Sequence, residues 1–212
     1  MPLIVKNARI KQPGLIVVDR TVSGPYENYL TPENRVPETA ILYPWETCMP
    51  MARSWSYVPN DNYKSTGTLI HLLVDIVSKG GNFLLNIAPS AKGDFDEIAY
   101  DRLKEIGEWM KINGEAIYNS RPVEPYKEGN VCFTQLRDGT IYAIFLANEN
   151  ETIMPEKLSF EKFCPSPDAE IKLLGTDIKI NWEKVNNGCE LEIPDQVNNN
   201  LPYKYAWTFK IK

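Results

Sequence analysis

The spacing of apolar residues changes near residue 122, and this change limits the possible folds more than any other feature of the sequence. Before it, apolar residues recur at helical intervals or in short runs bounded by Gly and Pro; after it, they alternate with polar residues. A period of 3.6 residues indicates helices, whereas a period of two indicates half-buried strands. The sequence therefore predicts two domains of different class, residues 1–122 and 123–212.

Strands and helices alternate in the first predicted domain. The predicted elements are a helix over 2–12, a strand over 15–18, a strand over 45–49, a helix that begins near the capping residues 65–68, a strand over 82–87 and a helix over 96–112. Gly80-Gly81 and Asn113-Gly114 are the expected stops of the two later helices. This alternation is typical of a parallel α/β sheet.

The second predicted domain consists of short strands separated by turn residues. The strands are predicted over residues 131–134, 141–146, 171–174, 178–182, 189–193 and 205–211. Asp138-Gly139 and Asn187-Gly188 are strong turn signals between them. Short strands at regular spacing predict an antiparallel β-sandwich.

A long connection follows the predicted strand 15–18, which ends abruptly at Asp19-Arg20. Connections of this length inside a compact domain are functional loops or disorder, and the aromatic content of residues 26–45 argues against disorder. Two carboxylates, Glu33 and Glu46, lie in this stretch beside aromatic or proline residues. A carboxyl packed against aromatic side chains has its charged form disfavoured, which suits a general acid. The alternative for each is an ordinary surface or ion-paired carboxylate.

Charge and composition exclude several classes of function. A net charge of −5 without a basic run argues against nucleic-acid binding. The longest apolar run, residues 69–77, contains His71 and Asp75 and is too short to span a membrane. The first six residues lack the features of a signal peptide, so no export signal is expected in this chain and its compartment is not predicted. Four scattered cysteines and a single histidine predict free thiols, with no metal site and no cofactor.

Several motifs occur in a fixed order along the chain. They are DR at 19–20, TPE at 31–33, WETC at 45–48, RSWSY at 53–57, GGNFLLNIAP at 80–89 and NGEAIY at 113–118. In this order they resemble the later part of the glycoside hydrolase family 29 α-L-fucosidases, and the resemblance runs along essentially the whole chain. It implies the last strands and helices of a (β/α)8 TIM-like barrel, followed by a C-terminal antiparallel β-sandwich. It also implies a retaining exo-acting hydrolase that removes terminal α-L-fucose from glycans.

The resemblance also implies roles for individual residues. Glu33 matches the acid/base position in bacterial relatives, and Glu46 is the competing candidate. Arg20 matches the arginine that contacts the sugar, and Trp55 matches the aromatic that packs on the apolar side of fucose; Trp45 is a further predicted substrate contact. From the residues alone, Glu46 could instead orient Arg20 from below, and the tryptophans could be ordinary packing residues.

Retaining hydrolysis needs a second carboxylate as nucleophile. In the family this is an aspartate in a Trp-Asp-Gly-like motif before the Asp-Arg strand, and no such motif precedes Leu15 here. The resemblance therefore implies an incomplete site, inactive alone, with the N-terminal half or a homo-oligomer as the expected partner. The alternatives are a non-catalytic carbohydrate-binding or structural fragment that associates with a partner chain through exposed sheet edges, and an unrelated binding module in the sandwich.

Overall fold

The computed structural model describes residues 2–20, 24–149, 151–199, 201 and 203–212. The first part of the chain contains α1 (Pro2–Lys11), β1 (Trp45–Pro50), α2 (Thr66–Ser78), β2 (Gly81–Asn86), α3 (Glu97–Asn113) and a 3-10 turn (Gly114–Ala116). The second part contains β3 (Arg121–Glu128), β4 (Val131–Gln135), β5 (Ile141–Leu146), β6 (Lys157–Phe160), β7 (Ile171–Leu173), β8 (Lys179–Val185), β9 (Gly188–Glu192), α4 (Asp195–Asn198) and β10 (Ala206–Ile211). The division at residue 122 stays a prediction.

The centre of the first part is a βαβ unit. β1 and β2 pair in parallel, and α2 connects them. The Ser65 hydroxyl caps α2 by accepting a hydrogen bond from the Thr68 N–H at 3.1 Å. Gly80 ends the connection with a φ of 88°, a left-handed conformation that favours glycine. Local sequence therefore sets both ends of the crossover helix, as the capping and stop signals predict.

Two further segments extend this parallel arrangement. Parallel bridges join Leu30 to Trp45, Glu33 to Cys48 and Val18 to Tyr29. Residues 15–20, residues 29–33, β1 and β2 thus run side by side in one direction. Their carboxyl ends lie along one edge.

The strand predicted over residues 15–18 does not form as a regular strand. Ile16 is 66% exposed, and the segment pairs with its neighbour at only a single bridge. Asn28 holds it instead: the Val17 N–H donates to Asn28 Oδ1 at 2.9 Å, and the Asn28 N–H donates to the Val17 carbonyl at 2.7 Å. The segment is therefore held by hydrogen bonds to Asn28 rather than by regular strand pairing, and part of its apolar run lies at the surface.

The second part is an antiparallel sheet in the order β3-β4-β5-β10-β7-β8-β9-β6. The sheet folds over a single apolar core, so strands far apart in this order meet. Phe133 of β4 lies 5.4 Å from Phe160 of β6 between ring centroids, and 4.9 Å from Phe163. Such aromatic contacts stabilise the folded-over sheet beyond simple burial.

Helices α2 and α3 join the two parts. Ile70 and Val74 of α2 are completely buried in a cluster that includes residues of β4, β5 and β10. The Trp109 indole N–H donates to the Ala206 carbonyl at 2.9 Å. His71 Nε2 of α2 lies 2.8 Å from the Tyr205 carbonyl oxygen. Among the described residues, no helix is both long and apolar enough to cross a membrane.

Candidate functional site

Arg20, Glu33 and Trp55 lie at or near the edge formed by the carboxyl ends of the parallel segments, whereas Trp45 and Glu46 lie at the start of β1. Arg20 ends the first segment, Glu33 ends the second, and Trp55 follows β1. Asn86 ends β2. Active sites of parallel α/β enzymes form at this end of their strands, because loops from several strands converge there.

Arg20, Glu33 and Cys48 form the central contact of the site. Arg20 Nη1 lies 2.5 Å from Glu33 Oε2, and Arg20 Nη2 donates to Cys48 Sγ at 2.9 Å. The neighbouring Cys48 and Glu33 raise the pKa of Arg20 above its ordinary value, so the guanidinium is always charged. The side chains of Arg20 and Glu33 are 43% and 46% exposed, which leaves both accessible to a ligand.

Asp19 and the backbone place Glu33 beside Arg20. Asp19 Oδ1 accepts hydrogen bonds from the Thr31 N–H at 2.8 Å and the Thr31 hydroxyl at 2.6 Å. The Glu46 N–H donates to the Leu30 carbonyl at 2.9 Å, and the Asn34 N–H donates to the Cys48 carbonyl at 3.1 Å. Hydrogen bonds to Asp19 on one side and to β1 on the other therefore hold the segment that contains Glu33, although it is not part of a regular strand.

Glu46 lies on the same face of β1 as Cys48. Successive strand residues point to opposite faces, so Glu46 and Cys48 share one face while Trp45, Thr47 and Met49 are buried on the other. We call the first of these the inner face; on β2 it carries Asn82 and Leu84, the partners of Glu46 and Cys48. Leu84 is 53% exposed. Glu46 thus lies near the start of β1, two residues before Cys48, which contacts Arg20.

Trp45 lies apart from the other predicted site residues. It is 1% exposed, and its indole N–H donates to the Lys79 carbonyl at 3.1 Å. Its ring packs over Gly81, where an added Cβ would lie 2.4 Å from the nearest ring atom. The prediction that Trp45 contacts substrate is therefore corrected: the strand period turns this side chain into the core, away from Glu46.

Trp55 is presented by a braced loop, residues 51–65, which we call the Trp55 loop. Its side chain is 39% exposed, and its carbonyl accepts a hydrogen bond from Asn86 Nδ2 at 3.0 Å. Lys64 Nζ donates to the carbonyls of Pro50 at 2.6 Å and Ala52 at 3.0 Å. The loop therefore holds an accessible aromatic surface next to the end of β2.

Asp61 makes the Trp55 loop sensitive to acid. Partial burial disfavours its charge, but hydrogen bonds from the backbone N–H groups of Ser54 and Asn62, with Arg53 nearby, lower the pKa of Asp61 below its ordinary value of 3.8. Such a group stabilises the folded state above its ordinary pKa, and this contribution is lost as the pH falls through the lowered value.

We expect the free energy of unfolding of Asp61→Asn to decrease less than that of the wild type as the pH falls below about 4. Urea denaturation of both proteins from about pH 2 to about pH 7 measures this, and parallel curves would contradict it.

Neither a disulfide nor a metal cluster involves these residues. The four cysteines are free; Cys132 and Cys189 are buried, and Cys48 and Cys164 are half-buried. Burial raises the pKa of Cys132 to about 11 and that of Cys189 to about 12. Within the described ranges, His, Cys, Asp and Glu form no group of three or more that could hold a metal ion.

Cys48 is the site residue that the sequence analysis missed. The sequence predicts a free thiol at this position, because the four cysteines are scattered and the chain has a single histidine. The alternation of side chains along a strand could have identified Cys48 as a site residue, because it follows Glu46 by two residues and so lies on the same face.

Comparison with sequence families gives two matches. The family described as alpha-L-fucosidase matches residues 2–115, and the alpha-L-fucosidase C-terminal domain matches residues 125–212. Tissue alpha-L-fucosidase of Mus musculus is 34% identical over 185 residues, which cover 82% of this chain and 39% of the relative. Alpha-L-fucosidase of Branchiostoma floridae is 31% identical over 176 residues, which cover 79% of this chain and 38% of the relative. The chain thus spans less than two fifths of the length of these curated relatives.

Solved structures give the same result. The alpha-fucosidase of Thermotoga maritima in complex with fucose aligns with a TM-score of 0.79 at 26% identity, covering 97% of this chain and 47% of that one. Alpha-L-fucosidase isoenzyme 1 from Paenibacillus thiaminolyticus aligns with a TM-score of 0.80 at 25% identity, covering 98% and 52%. The family resemblance and the predicted fold class, a partial (β/α)8-like barrel followed by an antiparallel β-sandwich, are confirmed.

Proposed function

This chain belongs to the α-L-fucosidase family, and we propose that it forms part of the active site of a retaining exo-α-L-fucosidase acting on fucosylated glycans. Glu33 is the acid/base, Arg20 and Trp55 bind the sugar, and Glu46 is the competing acid/base candidate. The attacking carboxylate comes from polypeptide outside these 212 residues. The contact of Glu33 with Arg20 at the strand ends is the observation that supports this proposal most directly.

The proposed reaction has two steps. First, Glu33 gives its proton to the glycosidic oxygen while the bond from this oxygen to the anomeric carbon breaks, and the nucleophilic carboxylate bonds to that carbon. Second, a water molecule gives its proton to Glu33 and displaces the carboxylate, releasing fucose with retained configuration. Sugar hydroxyls compete with Glu33 for the Arg20 guanidinium, so substrate binding loosens the ion pair.

Glu33 is preferred over Glu46 because of its position. Glu33 lies at the carboxyl end of its segment and is 46% exposed, whereas Glu46 is the second residue of β1 and half-buried. A residue near the start of a strand lies deeper in a barrel than one at its end. Glu46 is better situated to support the floor of the site than to reach a leaving group.

The isolated 212-residue chain tests the proposal. We expect negligible release of 4-nitrophenol from 4-nitrophenyl α-L-fucoside, because retaining catalysis needs two carboxyl groups about 5 Å apart across the sugar. We also expect L-fucose to shift the indole NMR signal of Trp55, whereas Trp182 of β8 in the sandwich serves as the control. Robust turnover would contradict the incomplete site. Glycan-induced shifts confined to residues beyond 122 would favour a binding module in the sandwich instead.

A second candidate is a non-catalytic carbohydrate-binding or structural chain that associates with a partner. Large apolar side chains are exposed in the first part of the chain; they include Leu3, Ile4, Ile10, Ile16 and Leu42. Exposed apolar groups of this size favour association, either with another polypeptide or with a second copy. Light scattering at increasing protein concentration tests this, and a monomer throughout would count against association of the chain with itself.

A further inference from the structure

We propose that Cys48 is a positioning residue of this site, whose sulfur holds the Arg20 guanidinium at the strand ends whatever the charge on Glu33. The inference rests on the function proposed above for its catalytic consequence. The restraint of Arg20 itself follows from its contacts with Cys48 and Glu33 and does not depend on that function.

Arg20 is held by two different atoms from two different segments. Nη1 contacts Glu33, which belongs to an irregular segment, and Nη2 contacts Cys48, which belongs to the paired strand β1. An ion pair between two side chains that are nearly half exposed contributes little, because water screens it and ordering two long side chains costs entropy. The contact with Cys48 joins the guanidinium to the regular part of the sheet, which the contact with Glu33 does not.

The two contacts also differ during the proposed reaction. Glu33 alternates between its charged and neutral forms, and a neutral carboxyl attracts a guanidinium less than a carboxylate does. The Cys48 sulfur exchanges no proton in either step. Arg20 thus keeps one constant partner while the other partner changes, and its remaining N–H donors stay available to the sugar.

Cys48 sets the position of both partners. Its side chain contacts Arg20, while its backbone carbonyl accepts from the Asn34 N–H at 3.1 Å and its backbone forms the bridge to Glu33. Substitutions that preserve the strand leave the backbone contacts in place. The variants Cys48→Ala and Cys48→Ser therefore test the sulfur separately from the strand, since serine keeps an acceptor and alanine removes it.

The first measurement concerns the restraint itself and uses the 212-residue chain. We expect slow rotation of the Arg20 guanidinium in 15N NMR spectra of the wild type and of Glu33→Gln, and faster rotation in Cys48→Ala. Cys48→Ser should resemble the wild type. Cys164→Ala is the matched control, because Cys164 is equally half-buried but packs against the sandwich core.

The second measurement uses the complete enzyme, meaning this chain together with the polypeptide that supplies the nucleophile. We expect Cys48→Ala to raise KM for 4-nitrophenyl α-L-fucoside about tenfold with a smaller change in kcat, since a misplaced cation weakens sugar binding. Cys48→Ser should recover most of the loss, and Cys164→Ala should change neither constant.

The outcomes separate the two proposals. If Cys48→Ala leaves both the Arg20 signals and KM unchanged, the positioning role is overturned. If the complete wild-type protein hydrolyses no fucoside but Cys48→Ala still frees Arg20, the proposed function fails and the restraint of Arg20 stands. Thermal unfolding of each variant shows whether it is folded, and Cys48→Ser tests the role if Cys48→Ala is not.

Discussion

Glu33→Gln in the complete enzyme is expected to lower the hydrolysis of fucosides with poor leaving groups by about 10²- to 10⁴-fold. Glutamine preserves the size of the side chain, but its amide is too weak an acid to protonate the leaving oxygen and too weak a base to accept a proton from water. The loss should be smaller for the first step with 4-nitrophenyl α-L-fucoside, because a good leaving group needs little protonation. Steady-state and burst kinetics with natural-type and aryl fucosides measure both effects.

Glu46→Gln is the matched control for this experiment. It makes the same chemical change on the inner face of β1, one side-chain repeat below Cys48. If Glu46 supports the floor of the site, its loss of activity should not depend on the leaving group. Added azide should restore turnover of the aryl fucoside in Glu33→Gln, because this anion needs no general base. Leaving-group dependence and azide rescue in Glu46→Gln alone would reverse the assignment.

Gly188→Ala is expected to be the most destabilising small substitution in the sandwich. A Cβ at Gly188 would lie 1.7 Å from the Phe160 carbonyl oxygen and 2.9 Å from Glu161 Cα. Both are backbone atoms, so no side chain can turn aside, and β6 would have to separate from β9. We expect a loss of about 3 kcal/mol or more in the free energy of unfolding. This corresponds to a decrease of roughly 6 to 12 °C in Tm, measured by calorimetry.

Gly107→Ala provides the control with the same added methyl group. Gly107 lies on the exposed side of α3, and nothing lies within 4 Å of its added Cβ. Alanine favours the helix over glycine by about 1 kcal/mol, so this variant should be as stable as the wild type or more so. Equal Tm values for the two variants would show that β6 and β9 do not approach each other as closely as described.

Local signals predicted most of the regular elements, and the failures have identifiable causes. The sequence did not predict β3, because Pro122 and Pro125 interrupt its alternating pattern. The structure tolerates these two prolines because β3 is an edge strand, whose pairing with β4 shifts between Pro122 and Lys127. Gly188 was interpreted as a turn residue, but the turn consists of Asn186 and Asn187, and Gly188 is the first residue of β9. Its close neighbour, Phe160, is distant in sequence, so only the folded chain reveals why glycine is present.

The site could be predicted in part for a related reason. The motif order selected Arg20, Glu33, Glu46 and Trp55, and of these Arg20, Glu33 and Trp55 lie at or near the carboxyl ends of the parallel segments. The contact of Arg20 with Cys48 joins residues 28 positions apart and depends on the parallel bridge between Glu33 and β1. Trp45 is adjacent to Glu46 in the sequence, but its side chain lies in the core because neighbouring strand residues face opposite ways.

The alternation of β1 makes the register of this strand a condition for both stability and chemistry. A slip of one position would bring the indole of Trp45 out among the polar groups and push the carboxylate of Glu46 into the space over Gly81. Burying an unpaired charge there would be far more costly than losing one contact. Burial of Trp45 therefore also fixes the direction in which Glu46 points. We expect a chain with β1 out of register to be unstable rather than folded with a defective site.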